Sequence, residues 1–217
     1  MDPRPKYRKI IASYVSPQAF APRTRAALVG LGYHVVAAST RGRFDDDSWH
    51  PDLRIVDDRH FDRLPVENYL PRTPVIVLNG SEPREWRDSR VVGQVTRPAE
   101  LDEIYPLIQK ALEEKPRQAA RAATQLPASC TRDERRWMGA IVTLSSKGCA
   151  FRTNSEMLLG LDFNLLFPLP RGRMVSTRAR VMYREGKQLG MAFTNPTEPS
   201  SQAIAEFVTE RLATASA

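Results

Sequence analysis

Near Pro116 the hydrophobic pattern of this chain changes period, so one layer of secondary structure cannot serve both halves. Upstream, residues 7–15, 33–38, 53–56, 74–78 and 91–95 are short apolar runs of the kind that lie buried in a parallel sheet. Residues 20–31 and 101–112 are amphipathic, the second with Leu101, Ile104, Tyr105, Ile108 and Leu112 at helical spacing. Five strands with intervening helices predict a doubly wound α/β domain over residues 1–114. Downstream, over residues 115–217, the pattern becomes strand-like with period two, punctuated by turns at 168–172 and 184–187, as in an antiparallel barrel. Pro199, Ser200 and Ser201 can cap a last helix whose apolar face is Ile204, Phe207, Val208 and Leu212, expected to pack on the barrel or on a twin subunit.

Charge divides as unevenly as hydropathy. Residues 116–217 carry 14 Lys+Arg against 8 Asp+Glu, while the first 115 carry 18 against 17, so nearly all of the net +7 lies in the second half. An anionic ligand suits that bias. Nucleic acid does not, because the basic residues are scattered along strands and turns, with no recognition helix, zinc-finger spacing or aromatic RNA-binding signature. Cys130 and Cys149 fall in expected strands of a chain without a signal peptide or a membrane-spanning apolar run. Reduced, buried thiols in a cytoplasmic protein are the expectation, with no disulfide, metal or membrane insertion.

Two short motifs carry the ligand chemistry. Arg117-Gln118-Ala119-Ala120-Arg121 spaces two arginines four apart, each able to present a planar fork of donors to a phosphate or a guanine edge. Thr143-Leu144-Ser145-Ser146-Lys147-Gly148 ends a strand with a hydroxyl and a site of close backbone approach. A second R-x-x-x-R at Arg132-Asp133-Glu134-Arg135-Arg136 is the poorer candidate. Only the six residues 137–142 separate Arg136 from Thr143, leaving no room for a strand between the two ligand elements, and its acidic neighbours suit a charged hairpin turn.

With the strand-like 125–130 segment between them, and with the 160–165, 169–170, 179–183 and 189–193 segments that follow, these motifs resemble the PilZ family from about Pro116 onward. The resemblance implies a six-stranded antiparallel β-barrel that binds cyclic di-GMP, a bacterial second messenger tied to motility and biofilm control. It further implies that Arg117 and Arg121 grip phosphate and guanine, with Thr143, Ser145 and Gly148 on the barrel side. The family pattern begins with Asp or Asn, where this chain has Thr143.

The first half resembles the response-regulator receiver family in framework. Residues 52–57 read like its third strand ending in the phosphoacceptor, Asp57, and Thr96-Arg97-Pro98 stands where Lys-Pro would follow the fifth strand. The chemistry is missing. Ser13 and Tyr14 replace the acidic pair that would hold Mg²⁺, Asn79 replaces a hydroxyl residue, and Arg97 replaces lysine. Gly42, Pro51 and the acidic Asp45, Asp46 and Asp47 leave no full second helix between residues 41 and 52, and the acidic run reads as a solvated loop. We therefore expect a pseudo-receiver with Asp57 as a vestigial phosphoacceptor.

No catalytic constellation is legible, since His34, His50 and His60 lack a nucleophile or metal-ligand spacing around them. Trp49, Trp86 and Trp137 read as packing residues, Trp137 being the one that enters the strand leading to Thr143. The expectation is a non-enzymatic cyclic di-GMP receptor without a cofactor, transmitting occupancy to a protein partner by domain reorientation. A ligand-free PilZ-like scaffold and a phosphorylation-controlled response regulator are the alternatives.

Overall fold

The computed structural model describes residues 9–38, 51–64, 72–80, 84–114 and 116–215. The acidic run Asp45–Asp47, Trp49, His50 and most of the connection expected to lack a helix lie outside the described residues. The chain divides into two compact units, Met1–Gln118 with Leu212–Ala217, and Ala119–Arg211.

In the N-terminal unit the strands are β1 (Lys9–Tyr14), β2 (Tyr33–Ala37), β3 (Leu53–Asp57), β4 (Val75–Asn79) and β5 (Val91–Thr96). They pair in parallel in the order β2-β1-β3-β4-β5, a doubly wound order. Every residue of β3 and β4 is buried, as expected of strands covered on both faces. Helix α1 is Thr24–Gly30, shorter than the amphipathic stretch implied, because Phe20 is extended and bridges to Ala99 while Arg23, just before the helix, takes the left-handed conformation (φ 68°). Helix α2 is Leu101–Leu112, with Leu101, Ile104, Tyr105 and Ile108 buried and Asp102 and Glu103 at the positive end of its dipole. The winding is less regular than five strands with intervening helices implies: a 3-10 segment, Asp58–Arg63, follows β3, and residues 84–90 before β5 hold no helix.

The C-terminal unit is a closed antiparallel barrel. Its strands are β6 (Ala122–Arg132), β7 (Arg135–Ser145), β8 (Gly148–Arg152), β9 (Asp162–Pro168), β10 (Met174–Glu185) and β11 (Gln188–Thr194), ordered β10-β11-β8-β7-β6-β9. Closure removes the unpaired edges that a six-stranded sheet would otherwise expose. Period-two alternation, broken in β7 by a register shift between Ile141 and Thr143, sends Cys130, Ile141, Leu144, Phe151, Phe163, Leu165, Phe167, Val181 and Leu189 into the core. Both cysteines are free and buried, and loss of water pushes the Cys130 thiol up to about 12 and raises that of Cys149 as well.

Helix α3 is Glu198–Thr214, and Ile204, Phe207, Val208 and Leu212 are buried. It starts earlier than a cap at residues 199–201 would allow. Thr197 precedes it, with its hydroxyl donating to Ser200 Oγ at 2.9 Å and its carbonyl accepting from Ser201 N at 2.9 Å. Pro199 fits inside the first turn because its missing N–H has no intrahelical partner there anyway. Glu206 and Glu210, one turn apart, take Arg173 (2.8 Å) and Arg171 (3.4 Å), which tie the helix to the connection between β9 and β10.

Candidate functional site

The hairpin joining β7 to β8 closes on the pair Ser145↔Gly148, with Ser146 and Lys147 as its two-residue turn. The buried Ser145 hydroxyl donates to the Gly148 carbonyl at 3.0 Å, which commits its proton to the hairpin and leaves its lone pairs to accept. Gly148 has a cause in packing: a Cβ there would lie 2.1 Å from the Met191 carbonyl oxygen of β11. The glycine is thus the condition for β8 and β11 to pair at this end, and motif reading alone, which assigned it to ligand approach, missed that role. Thr143, two residues before Ser145, is half-buried and sits between Ala123 of β6 and Ala150 of β8.

Arg117 and Arg121 lie in the extended segment before β6 and are exposed, whereas Ala119 and Ala120 between them are buried. Since Ala122 pairs with Leu144, Arg121 stands at the level of Ser145, at the same end of the barrel as the hairpin. Its charge reaches the Cys149 thiol in the next strand. Arg171, Arg173 and Arg180 each hold a carboxylate, but among the described residues Arg117 and Arg121 have none. Arg117 is anchored through its backbone instead, its N–H donating to Gln109 Oε1 of α2 at 3.0 Å. The rival arginines form the hairpin between β6 and β7: Arg132 pairs with Arg135, Asp133 takes the left-handed conformation (φ 54°) and Thr131 faces Arg136. Trp137 opens the route to Thr143 as a packing residue, its indole N–H donating to the Glu156 carbonyl at 3.0 Å and its ring meeting Phe163 edge-on at 5.2 Å.

At the carboxyl end of the parallel sheet, Asp57 is buried and fully engaged. Its Oδ1 accepts from Arg59 N (3.0 Å) and Nε (2.9 Å), and its Oδ2 from Arg59 Nη2 (2.8 Å) and Arg97 Nη1 (2.6 Å). Hydrogen bonds from the Arg59 side chain, against the cost of burial and aided by the Arg59 N–H and the Arg97 charge, hold the carboxyl far below its usual range. Arg97 also donates from Nε to the Asn79 carbonyl (3.0 Å) and from Nη2 to Asp58 (3.3 Å), so one guanidinium joins the ends of β3, β4 and β5. Ser13 and Tyr14 are both buried at the end of β1. Arg59 was not foreseen, although its place two residues after Asp57 is the spacing of a side chain folding back on a turn.

Among the described residues no group of three or more His, Cys, Asp or Glu side chains could hold a metal ion, and no helix is long and apolar enough to cross a membrane.

A family model described as the PilZ domain matches residues 115–210. No curated protein matches the chain. Solved structures with similarity include the Bacillus subtilis inhibitor of motility (MotI/DgrA), 18% identical over 45% of this chain and 51% of that one, with a TM-score of 0.41. The PilZ domain of YcgR from Escherichia coli with c-di-GMP is 14% identical over 45% of this chain and 92% of that one, TM-score 0.39. The K. pneumonia MrkH–c-di-GMP complex is 15% identical over 44% and 51%, TM-score 0.38. The chain spans about half the length of the Bacillus protein and of MrkH. The closed six-stranded barrel, its C-terminal helix and the family match coincide in one stretch of sequence, and residues 115–210 of this chain are a PilZ domain.

Proposed function

We propose that the chain is a non-enzymatic, cytoplasmic receptor for cyclic di-GMP. The observation that carries this reading is the pair of exposed arginines without carboxylate partners among the described residues, four apart, with Arg121 entering the barrel level with Ser145. Two unpaired guanidinium forks meet a ligand with two phosphates and two guanine edges, and each charge-assisted bond is worth about 1.5–3 kcal/mol. Ser145 contributes acceptor lone pairs, Thr143 a hydroxyl to a guanine edge, and Gly148 the close strand approach that shapes the surface.

Occupancy is passed on through Arg117. Its N–H rests on Gln109, whose Nε2 in turn donates to the Tyr33 hydroxyl in β2 at 2.6 Å, so capture of Arg117 bears on both α2 and the sheet. The N-terminal unit then acts as a pseudo-receiver, read from its strand order and the occupied Asp57, and it turns capture into a domain reorientation sensed by a protein partner. Isothermal calorimetry with cyclic di-GMP tests the binding. Arg117→Ala and Arg121→Ala should abolish the heat and Arg136→Ala should leave it intact; native protein that gives no heat would reduce the chain to a ligand-free scaffold. Spin-label distances between the units, with and without saturating nucleotide, test the reorientation, and identical distributions would refute it.

A further inference from the structure

The outward face of the barrel over β7, β6, β9 and β10 carries large apolar side chains in a block. Pairing puts Met138, Ser129, Leu166 and Ser176 in one row across the four strands. Beside that row, Ala140 pairs with Pro127, and Pro168 with Met174. Their neighbours along the strands, Ala128, Cys130, Ile141, Leu165, Phe167 and Val175, are buried in the core, so alternation turns this set outward. Met138 remains 64% exposed, Met174 58% and Leu166 42%, on a face where strands ordinarily present polar residues to water. Apolar side chains grouped in this way mark a contact surface, where scattered ones do not.

Charge frames the block. The next row towards the β6–β7 hairpin runs Arg136, Thr131, Asn164, Arg178. Among the described residues neither arginine has a carboxylate partner. Asp162 feels the Arg178 charge, but its two oxygens are taken by Arg180 at 2.9 and 3.0 Å. On the β8 side Arg152 pairs with Ala140, and its guanidinium donates to the neutral Gln125 amide oxygen at 2.9 Å. A second copy set against the same face would bring arginine onto arginine, so the charge selects a partner of opposite sign. Closure of the barrel leaves no strand edge to extend, which excludes an added β-strand. An α-helix supplies what is left, an apolar stripe with acidic residues on its flanks. From Met138 to Ser176 the row crosses three strand spacings, about 14 Å, which is the rise of about nine helical residues. Two of the three exposed side chains are methionines, whose unbranched thioethers adapt to an incoming apolar stripe.

We propose that this face docks an acidic amphipathic helix of a protein partner, with Met138, Leu166 and Met174 taking its apolar stripe and Arg136 and Arg178 its carboxylates. The inference rests on the partner-signalling part of the proposed function and gives that partner a surface and a chemistry. Thr143 lies five residues beyond Met138 along β7, about 17 Å, so the face is separate from the nucleotide site.

The probe is a fluorescein-labelled synthetic helix of about 18 residues, long enough to hold helical structure, with leucines at i, i+3, i+4 and i+7 spacing and glutamates flanking them. Fluorescence anisotropy follows its binding to the full chain, beside a matching peptide with lysine in place of glutamate. The glutamate peptide should bind, and Leu166→Ser or Met138→Ser, each first shown by its melting curve to be folded, should weaken it roughly 10- to 30-fold. Arg136→Glu combined with Arg178→Glu should weaken the glutamate peptide and strengthen the lysine peptide, a reversal that loss of folding cannot produce. Equal binding of the two peptides to native protein, or glutamate-peptide binding indifferent to Leu166→Ser and Met138→Ser, overturns the proposal. So does displacement of the peptide by a short duplex DNA, which would make the face a phosphate-binding surface. A dimer in sedimentation velocity that Met138→Ser dissociates would make it a self-contact and overturns the proposal as well. Calorimetry with cyclic di-GMP on the same native protein separates the two readings. Nucleotide binding without peptide binding removes this docking face alone, and peptide binding without nucleotide binding removes the receptor reading alone.

Discussion

Gly148→Ala should destabilise the barrel in the absence of any nucleotide, and its cost can be worked out from the packing. The added Cβ would lie 2.1 Å from the Met191 carbonyl oxygen and 3.2 Å from both the Met191 carbonyl carbon and Ala192 Cα. Carbon–oxygen contacts ordinarily sit at about 3.3 Å or more, so over about 1 Å of extra separation must be found between β8 and β11. Those strands pair at five positions, with Ala192↔Gly148 at the end of the ladder. The obstacle is backbone, which cannot rotate away. Forced opening strains or breaks neighbouring hydrogen bonds and leaves buried polar groups at about 1–3 kcal/mol each, which places the loss at about 3–5 kcal/mol. For a unit the size of Ala119–Arg211, a loss of 3 kcal/mol lowers the melting temperature by at least about 12 °C. Gly190→Ala is the control, since there the obstacle is the half-exposed Tyr183 ring, which can swing toward water at a cost of about 1 kcal/mol. Thermal denaturation followed by far-ultraviolet circular dichroism reads both. If Gly148→Ala melts within about 4 °C of the native protein, or if Gly190→Ala is the more damaging change, the packing account of Gly148 is wrong.

Three further outcomes are expected. Thr143→Asp should tighten cyclic di-GMP binding by about 1–3 kcal/mol, because a carboxylate accepts from two guanine donors where one hydroxyl cannot; unchanged or weaker binding in calorimetry removes Thr143 from the site. Asp57 should stay unmodified by acetyl phosphate with Mg²⁺, both of its oxygens being held by arginines, and an intact-mass gain of one phosphate that vanishes in Asp57→Asn would contradict this. The depressed carboxyl of Asp57 contributes stability that is fully present above its unfolded value of about 4 and is lost as the pH falls further toward its folded value. Denaturant midpoints of the N-terminal unit, followed by tryptophan fluorescence, should therefore fall more steeply with acid in the native protein than in Asp57→Asn; parallel curves would show that Asp57 titrates normally.

Local sequence settled a great deal in this protein, and for a local reason. Alternating periods separate strands that bury one face from strands that bury two, so residues 53–56 and 74–78 read as parallel strands and residues 179–183 as part of a barrel, where the structure has β3, β4 and β10. The Arg132–Arg136 hairpin was legible from its acidic tip, and the missing acidic pair from Ser13 and Tyr14. Other features depend on partners that no local window contains. Asp57 is held by Arg97, forty residues on, once β3 and β5 flank β4. Gly148 is fixed by the Met191 carbonyl, which reaches it only when β11 pairs with β8. The outward facing of Thr143 and Tyr183 is the clearest case, because alternation counted along either strand sends both into the core. A bulge is a mismatch in length between two paired strands, so it belongs to the pair and has no signature in one strand alone. The sequence carries the residues of the proposed site, and the closing of the barrel decides which way they face.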